Sequence, residues 1–190
     1  FGQRPLSFRS GRYGFDKRVA RILADNLYLV DSSVTPYIDW TVHKGIPGGT
    51  GGMDFLDSTP LPYIYEFDTK SLLELPITIL PTKFPLNISD KLARYYFRRV
   101  NNNYLLRILR KFFFSDQPMW LRPHQWMNIK SFDALLNEAS RIKLPVVVMM
   151  FHSSELMPGC SKYRPDTDSV EKLYELLELF FIKLRYKNIA

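Results

Sequence analysis

The sequence predicts an α/β fold, and three observations lead there. Short apolar runs that read as strands, at 27–30, 61–67, 72–80 and 146–151, alternate with stretches of helical periodicity. Two of these runs end in a polar cluster, "DSSVTP" at 31–36 and "HSSELMPG" at 152–159. No linker or internal repeat divides the 190 residues, so a single domain over 1–190 is expected.

Taken in order, "SFRSGRYGFD" (7–16) reads as a short strand leaving through a glycine-containing turn. The spacing then predicts a helix over 15–26, with Val19, Ile22 and Leu23 on one face. The next strand ends in Asp31, Ser32 and Ser33. Residues 45–60 hold five of the nine glycines and read as an exposed loop; without Gly-Lys-Ser/Thr opening a helix, they argue against a nucleotide-phosphate loop. The runs at 61–67 and 72–80 read as a ribbon turned by Asp68, Thr69 and Lys70. Phe15-Asp16 and Phe67-Asp68 read as a helix-start charge and a hairpin turn.

Ser89 is expected to cap a basic helix over 90–100, interrupted at Asn101 to Asn103 and resuming over 104–114. Ser131 is expected to cap a helix to about Arg141. That helix feeds the run of Val and Met at 146–151, which reads as a strand buried on both faces. Asp166 or Asp168 caps the last helix, where Val170, Leu173, Leu176, Leu177, Phe180 and Leu184 form an i, i+3, i+4, i+7 stripe.

With 46% hydrophobic and 24% charged residues the composition is that of a globular protein. The longest apolar run, 144–151, is far short of the roughly 20 residues that cross a bilayer. The single Cys160 excludes an internal disulfide and a cysteine-anchored structural zinc site. The chain begins at Phe1 and enters fold-like sequence at once, so a fragment is expected. Net charge is +7, of which +6 falls between Asp90 and Lys111: seven basic residues (Lys91, Arg94, Arg98, Arg99, Arg107, Arg110, Lys111) against one acid. Interleaved with Tyr95, Tyr96, Phe97 and Tyr104, this stretch reads either as a solvated helix covering apolar surface or as a surface for anionic membrane or glycan. Nucleic acid is not an expected partner.

The candidate site residues follow from the strand ends. In α/β folds ligands bind at the carboxyl ends of strands, where His152 stands, and an imidazole titrating near neutrality suits proton transfer. His152 and Glu155 have an H-x-x-E spacing, which makes a metal pair only on a helix. An acid/base and a purely structural histidine both remain open. Arg9 and Arg12 flank a Ser-Gly turn, where an arginine holds a carboxylate and exposed N–H groups meet an anion, unless the loop is only solvated.

"SFRSGRYGFD", "VDSSVTP" and "VVVMMFHSSELMPG", in this order and separated by a Gly-Pro loop and "LLELPIT", resemble the later part of the polysaccharide deacetylase family, the NodB-homology, chitooligosaccharide deacetylase-like group. The resemblance covers about residues 5–185. It implies the C-terminal part of a distorted (β/α) barrel and a hydrolase that removes N-acetyl groups from oligo- or polysaccharides, lipid-linked ones included. A divalent metal, usually zinc, activates the attacking water. By resemblance Arg9 orients the catalytic aspartate, the Arg12 N–H donates to the oxyanion, and His152 protonates the leaving amine. Asp31 or Glu155 holds the imidazole, and Tyr13 and Trp40 lie on the substrate side. The family's T-F-D-D and H-x-x-x-H motifs are absent, so no metal ligands are expected in this chain. Where the family has Asp-Trp, this chain has Val34 and Thr35. The rival expectation is a non-catalytic domain that binds glycan or membrane surface through helix 90–111.

Overall fold

A computed structural model describes residues 2–49, 51–82, 89–106, 108 and 118–187. Its architecture is mixed α/β. Strands β1 (Ser7–Phe8), β2 (Val30–Asp31), β3 (Tyr63–Phe67) and β4 (Lys70–Glu74) form one sheet in the order β1-β2-β4-β3. β1, β2 and β4 run parallel, and β3 pairs antiparallel with β4 through the turn at Asp68 and Thr69. A parallel pair needs a crossover, supplied between β1 and β2 by helix α1 (Lys17–Asp25). Strands β5 (Ile79–Leu80) and β6 (Met119–Trp120) form a separate antiparallel pair. Helices α2 (Asp90–Asn102), α3 (Ile129–Arg141) and α4 (Thr167–Tyr186) complete the described elements.

Helix starts follow the local chemistry. The Asp16 carboxylate accepts from the N–H groups of Arg18 and Val19, each at 2.9 Å, Ser89 accepts from Leu92, and Asp166 accepts from Ser169 at 2.8 Å. For α3 the cap is Asn128, not Ser131: the Asn128 side chain accepts from the Ser131 N–H at 3.1 Å, so the expected cap is instead the capped residue. On α1 the buried face is Ala20, Leu23 and Ala24, and Ile22 turns outward, 59% exposed. The expected helix over 104–114 lies largely outside the described residues. No helix among them is long and apolar enough to cross a membrane.

Three apolar clusters hold these elements. Phe15, Ala20, Leu23, Phe67 and Leu72 join α1 to the four-stranded sheet. Phe132, Leu135, Leu136 and Phe180 join α3 and α4 over Leu80 and Leu121, with the Phe132 and Phe180 rings 4.6 Å apart. Tyr37, Leu56, Ile77, Ile79, Phe97 and Met150 fill the space between α2 and β5.

The 146–151 run differs from expectation: it forms no regular strand, and Val146 is 46% exposed. It still docks by backbone. Thr78 N–H donates to the Val148 carbonyl (3.1 Å), Val148 N–H to the Thr78 hydroxyl (2.8 Å), and Met150 N–H to the Leu121 carbonyl (3.1 Å). One ladder partner is thus a side chain, which breaks regular pairing while delivering Met150 to the core and His152 to its rim. The glycine-rich loop is exposed only in its first part, through 48; Phe55 and Leu56 are buried.

Candidate functional site

The turn after β2 anchors the site. Asp31 is fully buried and accepts from Ser33 twice, from its N–H at 2.7 Å and its hydroxyl at 2.8 Å. The Ser33 hydroxyl in turn accepts from the Ser10 N–H at 2.8 Å. The Ser32 carbonyl and hydroxyl accept from the Arg9 guanidinium at 2.9 and 3.1 Å. Val34 N–H donates to Glu74 at 3.1 Å, and the Thr35 hydroxyl accepts from the Trp40 indole N–H at 2.8 Å. Residues 31–35 therefore fix both the loop carrying Arg9 to Tyr13 and the ring of Trp40.

These residues frame a cavity of about 1020 Å³ whose wall includes Arg9, Arg12, Tyr13, Trp40, His43, Lys44 and His152. Five residues that the sequence singles out meet there. Arg12 and Tyr13 both hold left-handed backbone angles, φ 56° and 57°, in a 3₁₀ turn at Gly11–Tyr13. Such a conformation costs a non-glycine residue about 1 kcal/mol. The turn uses the N–H groups of Tyr13 and Gly14 on the Ser10 and Gly11 carbonyls, and the Arg12 N–H is not among its internal bonds. Across the cavity a Cβ on Gly52 would come within 2.6 Å of the Trp40 Cβ, and one on Gly51, at φ +99°, would strike the Thr41 carbonyl. Only glycine lets that strand of loop lie against Trp40.

A second cavity of about 320 Å³ adjoins the first, sharing Tyr13, Trp40 and His152 and adding Trp120, Arg122, His124, Trp126 and Met127. Tyr13 stacks on Trp40 with centroids 5.1 Å apart, and Trp40 meets Trp120 edge-on at 6.2 Å. Burial raises the Tyr13 phenol above its ordinary pKa. Burial, followed by the charge of Arg122, lowers His124. Trp120, Arg122, Trp126, His43 and Lys44 are additions to the residues chosen from sequence. For Trp120, Arg122 and Trp126 the visible signal is the density of rings and cations in "MWLRPHQW" at 119–126; His43 and Lys44 have no such signal.

His152 is exposed at the start of a 3₁₀ turn, Ser153–Leu156. Glu155, 1% exposed, accepts from the His152 backbone N–H at 3.1 Å and from the Arg122 guanidinium at 2.8 Å. It holds the histidine by its main chain, not by its ring as expected. Asp31 lines neither cavity and is paired instead with Glu74, its neighbour across the β2–β4 register. Both carboxyls are fully buried. Burial, then hydrogen bonding to and repulsion by Asp31, push Glu74 strongly upward, and burial raises Asp31 as well. Glu74 Oε2 has no partner unless it carries a proton to share with Asp31. Arg9, expected to hold an aspartate, holds Ser32.

The basic helix is partly neutralised within the fold. Arg98 pairs with Asp54 and Asp57, and Arg94 with Asp90 at 3.1 Å. Arg99 lies over the Tyr95 ring. Arg107, Arg110 and Lys111 lie outside the described residues. Among the described residues no group of three or more His, Cys, Asp or Glu side chains is placed to hold a metal ion. Comparison with protein families, with curated proteins and with solved structures gives no match for this chain.

Proposed function

We propose that this chain is the substrate-facing, acid-carrying part of a carbohydrate N-deacetylase of the polysaccharide deacetylase type, built as the later part of that family's distorted (β/α) barrel. One observation supports the reading. The three segments that carry the resemblance, far apart in sequence, converge: residues 31–35 anchor a wall that Arg12 and Tyr13 share with His152. In this reading His152 donates a proton to the departing amine nitrogen of an N-acetylated sugar. The Arg12 N–H faces the oxyanion of the tetrahedral intermediate, and Tyr13 and Trp40 lie along the sugar ring. Arg9 acts as a positioning residue through Ser32, and Asp31 through Ser33. The divalent zinc that the resemblance implies finds no ligand set among the described residues.

The test is acetate release from an N-acetylated oligosaccharide by this chain joined to the metal-binding part that the resemblance implies; the 190 residues alone are expected to be inactive. His152→Ala should lower turnover by about 10²- to 10⁴-fold. KM and melting temperature should change little, because the imidazole is exposed. A variant with undiminished turnover, or a protein that carries the metal-binding part as well and still releases no acetate, would sink the reading.

A further inference from the structure

We infer that the larger cavity selects an anionic sugar, one bearing a carboxylate or a phosphate, an inference that rests on the glycan reading above. Its described wall carries three permanent cations, Arg9, Arg12 and Lys44, and no aspartate or glutamate. Arg9 is already spent on Ser32. Among the described residues Arg12 and Lys44 have no carboxylate partner, whereas Arg98 and Arg94 on α2 find theirs inside the fold.

Both free cations line this one cavity, and the loop that carries one reaches the other. A Cβ on Gly45, which holds φ +80°, would lie 3.0 Å from the Arg12 guanidinium nitrogen Nη1, so the loop that carries Lys44 closes onto Arg12. The strained turn at Arg12 and Tyr13 holds the other side of this approach. Two like charges drawn to one rim repel unless an anion lies between them. A guanidinium fork matches the paired oxygens of a carboxylate or phosphate, and a lysine supplies a second, less directional charge. The stacked faces of Tyr13 and Trp40 alongside provide for the apolar face of a pyranose ring, so ring and anion belong to one ligand.

Titration calorimetry with four probes tests this: N-acetylglucosamine 1-phosphate, an N-acetylglucosamine–glucuronic acid disaccharide, the neutral N-acetylglucosamine disaccharide, and inorganic phosphate. At least one charged sugar should bind about ten-fold or more tightly than the neutral one. Which of the two does so identifies phosphate or carboxylate as the anion. Lys44→Gln and Arg12→Gln should each remove most of that advantage, and added salt should erode it. Equal affinity for charged and neutral sugars overturns the inference and leaves the deacetylase reading standing. Inorganic phosphate binding as well as the sugar phosphate, with no binding of the neutral sugar, overturns both the inference and the glycan reading on which it rests.

Discussion

At Asp31-Ser32-Ser33 every polar side chain is bonded into the fold, while at His152-Ser153-Ser154 all three residues are exposed. Both triplets follow an apolar run and are spelled alike. The difference lies in what stands beneath them. The first ends a strand paired on both sides, so its side chains are trapped between β1 and β4 and must find partners. The second leaves a segment held at alternate points by Thr78 and Leu121, and it is anchored from below by Glu155. A buried polar cluster positions, and an exposed one is free to react.

The largest expected effect lies at the anchor of the exposed triplet. Glu155→Ala strands the Arg122 guanidinium, whose side chain is only 15% exposed, and should cost about 3–5 kcal/mol, since breaking a buried pair leaves an uncompensated charge. Thermal melting should fall by about 10 °C for a domain of this size; a loss under about 1 kcal/mol would mean that water replaces the carboxylate. Next is Ser33→Ala, which takes partners from both Asp31 and the Ser10 N–H and should cost about 1–3 kcal/mol by denaturant titration. Ser153→Ala, at the matching place in the other triplet, should stay within about 0.5 kcal/mol. Equal costs for the two would erase the distinction.

The buried acids give the comparison a pH signature. Because the folded state raises Glu74 above its ordinary carboxyl value, the native protein keeps a proton that the unfolded chain releases. That contribution to stability is complete below about pH 4.5, shrinks as pH rises, and is lost as pH passes about 9. Glu74→Gln keeps a donor toward Asp31 without the titration. Its melting temperature should vary less between pH 5 and 9 and exceed that of the parent by about 5 °C at the alkaline end; parallel curves for the two proteins would remove Glu74 from the account. The smallest expected effect is His152→Ala on stability, within about 0.5 kcal/mol by the same melts, in contrast to its effect on turnover.

Much of the local structure was legible because it rests on local chemistry. Asp16, Ser89 and Asp166 announce helix starts by placing an acceptor before a periodic run, and Asp68-Thr69 turns its hairpin as expected. Asn128 and Ser131 are both good caps three residues apart, and only the backbone path decides between them. The irregularity at 146–151 was not legible, because the Thr78 hydroxyl that replaces a ladder partner lies 70 residues away. For the site, polarity at the strand ends marked Arg9, Arg12 and His152. The partner of Asp31 is set by the β2–β4 register, and Trp120 and Arg122 come to the cavity through the β5–β6 pair, both nonlocal facts.

Trp40, Trp120 and Trp126 are all the tryptophans in the sequence, and all three line the smaller cavity beside His152. Selectively excited tryptophan emission from this protein is therefore a signal from one place. Sitting within stacking distance of Tyr13 and His124, the indoles should respond in colour and intensity to any ring that enters between them, and hardly at all to events on the outer face of α4. The molecule thus carries its own optical probe of occupancy, without a label.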